Sequence, residues 1–170
     1  MKTWFTYAIC VGFMGMINAQ ASNSVIEEKL PYYPNEINFT TEILGLGEDF
    51  ILDHWQQYIL EHGGKSEILG YEKGDLQMVS REVRLPPLDN EIVTLNAMLS
   101  PNASETGVNL SINVQKKDGT YLSDQGQDKV AAKKLEAWLL DFNRGLTSLE
   151  KQEVFSHYQV KENNHKNNER

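Results

Sequence analysis

The chain has 170 residues, 16 Lys+Arg against 24 Asp+Glu for a formal net charge of −8, and a hydrophobic content of 40%. Length and composition describe one folded domain of ordinary size with tails and argue against a wholly disordered chain. The acidic balance argues against a nucleic-acid partner, which would need clustered cations to neutralise phosphate.

Met1-Lys2 is a short positive start. Trp4 to Met16 is apolar apart from Thr6, and Ile17-Asn18-Ala19 places a small residue before Gln20. A charged start, a short apolar core and a small residue at the cut describe a secretory signal peptide over residues 1–19. The apolar run, about 13 residues, is short of the roughly 20 that a bilayer span requires. The competing reading is an uncleaved N-terminal anchor, but Gln20-Ala21-Ser22-Asn23-Ser24 supplies no stop-transfer cluster. The expectation is an exported protein, periplasmic or secreted after cleavage near Ala19/Gln20, with no membrane span in the mature chain. Cleavage removes Lys2 and takes the net charge from −8 to −9. It also removes Cys10, the only cysteine, so no disulfide or thiolate metal site is expected in the mature chain. Cys10 sits in mid-core after Ile9 and not at the end of the apolar run, which speaks against lipidation.

Residues 20–46 carry Pro31, Pro34 and paired tyrosines, and read as an extended lead-in from which Ile26, Leu30, Tyr32 and Tyr33 can dock on the domain. The domain proper is expected over 47–145. Glu48 and Asp49 put negative charge where a helix N-terminus favours it. Ile51, Trp55, Tyr58 and Ile59 then recur at spacings of three and four, and Gly63-Gly64 stops the helix. Four strands are predicted next: 66–72, 76–85, 91–99 and 107–115. Lys73-Gly74-Asp75 turns between the first two, and Pro86-Pro87 ends the second. In the last, Val108, Leu110, Ile112 and Val114 alternate with Asn109, Ser111, Asn113 and Gln115, the pattern of a strand with one buried and one wet face. Asp118-Gly119 makes a tight turn into a brief return over Thr120-Tyr121-Leu122.

From Asp128 the period becomes helical, with Ala131, Leu135, Trp138, Leu139 and Phe142 on one stripe. Gly145 is expected to end that helix. Thr147-Ser148-Leu149-Glu150 fits a capping box for a short C-terminal helix over 146–160, and 161–170, which lacks any apolar residue, reads as a disordered tail. The order α-β-β-β-β-α predicts an α+β fold: a four-stranded antiparallel meander with two helices packed on one face and the other face open, a two-layer sandwich. A split sheet with a crossover is the alternative topology.

Chemistry-bearing patterns are sparse. His54, His62, His157 and His165 are too far apart for a helical metal pair, and Glu61-His62 suits a helix C-terminus. Glu48, Asp49 and Asp53 are explained by the helix dipole before a paired-carboxylate site need be invoked. There is no G-x-S-x-G, H-E-x-x-H, P-loop, dinucleotide fingerprint or calcium loop. No catalytic residue, metal ligand or cofactor is therefore assigned. Trp55 and Trp138 read as core. Asn38-Phe39-Thr40, Asn102-Ala103-Ser104 and Asn109-Leu110-Ser111 match the glycosylation acceptor pattern. One less bland feature is that Met78, Ile92 and Met98 fall opposite Val79, Val83, Val93, Leu95, Ala97 and Leu99 when their strands alternate. They are the candidate interaction patch on the open sheet face, unless a bulge near Ser80 turns Met78 inward.

The signal ending Asn18-Ala19-Gln20 is similar to those of exported proteins from Bacteroidota. The stretch from about Glu48 to Gly145 resembles small uncharacterised secreted or periplasmic α+β proteins of that group. The matching features are Gly63-Gly64-Lys65, the strand Ile92-Val93-Thr94-Leu95-Asn96-Ala97, the alternation around Val108-Asn109-Leu110, the turn Asp118-Gly119-Thr120-Tyr121-Leu122, and the helix with Leu135, Leu139 and Phe142. The resemblance implies a compact envelope protein and brings no activity with it. Two function classes stay open: a non-enzymatic module binding a protein or small ligand, and a hydrolase-type enzyme whose acid/His site is scattered in sequence.

Overall fold

The protein is described by a computed structural model that covers residues 25–28 and 37–168. The signal segment, the lead-in residues Leu30, Tyr32 and Tyr33, and the last two residues of the expected tail lie outside the described residues. Among the described residues, six strands and two α-helices follow one another as β1 (Val25–Glu28), β2 (Asn38–Leu44), α1 (Glu48–Glu61), β3 (Lys65–Glu72), β4 (Asp75–Leu85), β5 (Glu91–Pro101), β6 (Gly107–Gln115) and α2 (Lys129–Asn168). The fold is α+β with one antiparallel sheet in the order β1-β2-β6-β5-β4-β3.

The meander β3 to β6 is the run of four strands that the sequence predicts. The count of four falls short because the lead-in contributes two more. Phe39, Thr41 and Ile43 of β2 pair with Ile112, Leu110 and Val108 of β6, and β1 pairs with β2 from Val25↔Thr41 to Glu28↔Asn38. The sheet thus begins before residue 47, the expected start of the domain.

Both helices lie on the face that carries Phe39, Ile43, Leu110, Ile112, Leu95 and Leu99. Ile51, Trp55 and Ile59 of α1 and Leu135, Leu139, Phe142 and Leu146 of α2 join these residues in one buried cluster. Gly64 returns the chain from α1 to the sheet at a point where even a methyl group would meet the side chains of Val83 and Ile59. Asn143, buried on α2, donates from Nδ2 to Thr41 Oγ1 at 3.0 Å and to the Glu42 carbonyl at 2.9 Å, which fixes α2 against β2.

Two expectations about α2 fail. Gly145 does not end the helix, and no separate helix over 146–160 follows. One 40-residue helix runs from Lys129 to Asn168 and takes in residues 161–168 of the expected tail. Leu135, Leu139, Phe142, Leu146 and Leu149 keep their four-three spacing through Gly145, so the apolar stripe holds the helix on course where glycine's weak propensity would not.

The second face is polar but not wet at its centre. Asn113 is 0% exposed, and Asn38, Thr40 and Ser111 are also buried. These groups satisfy one another sideways: Asn96 Nδ2 donates to Asn113 Oδ1 at 2.8 Å, Asn113 Nδ2 to Asn38 Oδ1 at 3.3 Å, and the Thr40 and Ser111 hydroxyls lie 2.7 Å apart. Cross-strand bonding of this kind lets an amide or hydroxyl leave water without losing its partner.

A bulge divides β4. Ser80 pairs with Leu95 and Val83 with Val93, so Arg81 and Glu82 together oppose Thr94, and Glu82 takes the left-handed conformation at φ 61°. The extra residue shifts the pleat by one. Leu76, Met78 and Ser80 face the helices before it, and Val83 and Leu85 after it.

Candidate functional site

The bulge decides the fate of the patch expected from Met78, Ile92 and Met98. Met78 pairs with Ala97 on the helix-facing side and is 1% exposed. Met98 is on the opposite face beside Ser111 and Gln77 but only 5% exposed. Ile92 alone is open, at 44%. The structure does not bring the three residues together. Ile92 instead lies in a groove of about 340 Å³ with Arg81, Glu82, Thr94, Gln115, Lys116 and Lys117. The cations there are largely engaged. Arg81 meets Glu67 at 2.7 Å, and Lys116 Nζ is 2.7 Å from both oxygens of Asp128.

A different concavity is lined by apolar side chains. Residues 54, 57, 58 and 61 share one face of α1, and residues 141, 142, 145, 146 and 149 share one face of α2. Between them is a cleft of about 160 Å³ lined by His54, Gln57, Tyr58, Glu61, Asp141, Phe142, Gly145, Leu146 and Leu149. Gly145 leaves space where another residue would carry a side chain, since a Cβ there meets nothing within 4 Å. Leu149, at the mouth, is 41% exposed, whereas Leu146 one turn earlier is buried.

Aromatic rings support the cleft from beneath. Tyr58 is 5.2 Å from Trp138 and 5.1 Å from Phe142, and Trp55 meets Phe142 edge-on at 5.2 Å. Both tryptophans are core, as the helical stripes predict. His54 and His62 each direct Nδ1 to the backbone carbonyl four residues earlier, Phe50 at 2.8 Å and Tyr58 at 2.7 Å. Burial, reinforced by the negative charges of Asp141 and Glu61, pushes the Tyr58 phenol up to about 12. It is therefore a neutral donor and acceptor at physiological pH. Asp141 is itself bridged to Arg144 at 3.0 Å, and Glu61 accepts from Gln57 at 3.3 Å.

Among the described residues no group of three or more His, Cys, Asp or Glu side chains is placed to hold a metal ion. No helix among them is long and apolar enough to cross a membrane. The acids Glu48, Asp49 and Asp53 stay at the α1 N-terminus. Glu48 accepts from Tyr71 Oη at 2.6 Å and holds that phenol above its ordinary range. Two glycosylation-type asparagines, Asn38 and Asn102, are buried and occupied. Asn102 Oδ1 takes the backbone N–H groups of Thr106 and Gly107, at 2.9 and 3.2 Å, and so shapes the β5–β6 loop.

The cleft is not legible in the sequence because its walls, residues 54–61 and 141–149, are far apart along the chain. The signal available was the four-three spacing of His54, Tyr58 and Glu61 against that of Phe142, Leu146 and Leu149. No protein-family model, curated protein or solved structure matches the chain.

Proposed function

We propose that this chain is an exported, non-enzymatic interaction module of the cell envelope, and that the α1–α2 cleft receives an apolar side chain of a protein partner. The observation that carries the reading is the cleft itself. Tyr58, Phe142, Leu146 and Leu149 give it an apolar lining, and His54, Gln57, Glu61 and Asp141 give it a polar border. Its 160 Å³ is below the roughly 300–1,000 Å³ usual for small-molecule sites and suits a single side chain. Export rests on the charged start, short apolar core and small residue at Ala19, and on the resemblance to secreted α+β proteins of Bacteroidota. Mass spectrometry of the native protein should give a mass lacking residues 1–19; a retained Met1 refutes export by cleavage.

A photoreactive residue placed at Leu149 in the native envelope tests the binding reading. A discrete cross-linked partner is expected from that position and not from Val130, which is more open on the same helix but away from the cleft. No discrete product, or the same product from both positions, overturns it. The hydrolase reading has one observation in its favour: His54, Glu61 and Asp141 border the same cleft. Turnover of an ester or glycoside that is lost in His54→Ala would favour it over binding.

A further inference from the structure

The free edge of the sheet at β3 carries a second surface, independent of the cleft. Among the described residues β3 pairs with β4 on one side only, and none of its eight residues is buried. Three of the large apolar side chains exposed among the described residues are on this strand: Ile68, Leu69 and Tyr71. Glu48 at the start of α1 is bonded to Tyr71, so the N-terminal end of that helix lies beside the C-terminal half of the strand.

A bulge at Leu69 gives this edge an unusual symmetry. Ser66, Ile68 and Tyr71 pair with Ser80, Met78 and Leu76 on the helix-facing side. Lys65, Glu67, Gly70 and Glu72 pair with Arg81, Val79, Gln77 and Asp75 on the other. Two copies joined edge to edge about a two-fold axis normal to the sheet pair antiparallel, and directly opposed residues must then face the same side. One register that pairs the whole strand satisfies this at every residue with a partner on β4: Lys65 opposite Glu72 of the second copy, Ser66 opposite Tyr71 and Glu67 opposite Gly70, with Ile68 and the bulged Leu69 meeting at the axis. It places an opposite-charge pair at each end. A shift of two residues sets Glu67 against Glu72, and a shift of one sets helix-facing side chains against outward ones. Charges and bulges on an edge strand ordinarily discourage pairing. Here they discriminate against the neighbouring registers.

We infer that β3 is a homotypic docking edge, through which a second copy of this chain extends the sheet across a two-fold axis, with Lys65 and Glu72 selecting the register. Sedimentation velocity of the full chain over a concentration series tests this. The unmodified chain is expected to show a monomer–dimer equilibrium. Lys65→Glu and Glu72→Lys each turn two attractive cross-strand pairs into repulsive ones, and each should weaken association about tenfold. An equimolar mixture of the two variants restores both pairs, so dimerisation should return, as it should in the double variant. Circular dichroism confirms that the singles stay folded, which their exposed positions favour. A chain that stays monomeric throughout overturns the inference. So does a dimer indifferent to both single variants, or singles that mixing fails to rescue.

Discussion

Asn143 offers a quantitative test of how α2 is held to the sheet. Its Nδ2 donates both to Thr41 Oγ1 and to the Glu42 carbonyl, and Asn143 and Thr41 are both buried. A net contribution of about 0.5–1.5 kcal/mol per hydrogen bond makes Asn143→Ala destabilising by about 2 kcal/mol. With a urea m-value of about 2 kcal/mol/M, the unfolding midpoint should fall by about 1 M. Thr41→Val keeps the shape of the side chain and removes one acceptor, for about 1 kcal/mol. Only one of the two Asn143 bonds reaches Thr41, so a double-mutant cycle should return a coupling of about 1 kcal/mol. A coupling below about 0.3 kcal/mol, the level of independent sites, would show that the Asn143–Thr41 bond does not hold the helix.

Leu139→Ala removes a fully buried side chain from the centre of the core and should cost about 2–5 kcal/mol in denaturant melts; a loss below about 1 kcal/mol means the stripe is misplaced. Gly145→Ala should raise stability by about 0.5–1 kcal/mol, because the helix continues through this position and a Cβ there meets nothing; a loss of stability would restore the chain break that glycine suggests. At Gly107 a Cβ would overlap the Ile43 carbonyl oxygen, so Gly107→Ala should cost about 1–3 kcal/mol by loosening the β2–β6 pairing, read by the same melts. Tyr58 has a folded-state pKa pushed up to about 12 against an ordinary 10.0, so the unfolded chain loses this proton first. Stability from this group is complete below about pH 10 and declines as pH rises toward 12; absorbance titration of phenolate formation should lose its late component in Tyr58→Phe.

The parts of the fold written in a single periodicity were legible. The alternation in β6 and the three-four spacing in α1 and α2 each report a buried face directly, whatever the rest of the chain does. β2 alternates as well, in Phe39, Thr41 and Ile43, but its two adjacent threonines made Asn38–Leu44 look like polar lead-in. Threonine reads as polar by composition, yet its β-branched shape suits a pleated strand. The misplacement of Met78 has another origin. The apolar phase of β4 switches from Leu76 and Met78 to Val83 and Leu85 across the bulge, but Val79, in phase with the second pair, hides where the switch falls and leaves the bulge near Ser80 only an alternative in the sequence. The cleft was illegible for a third reason: proximity between α1 and α2 is a property of the packed sheet, and neither helix alone indicates which of its polar residues border a cavity.

The bulge in β4 also sets how the chain tolerates a change in its length. Arg81 and Glu82 jointly oppose Thr94. Removing Glu82 would leave Arg81 alone opposite Thr94, with Ser80 still against Leu95 and Val83 still against Val93. Every helix-facing residue on both sides would keep its orientation, and a left-handed non-glycine residue, worth about 1–2 kcal/mol of strain, would be gone. Elsewhere in the central strands a one-residue deletion turns the rest of the strand inside out. This position is thus a reading-frame buffer in the pleat, at which related chains can differ by one residue and still bury the same core.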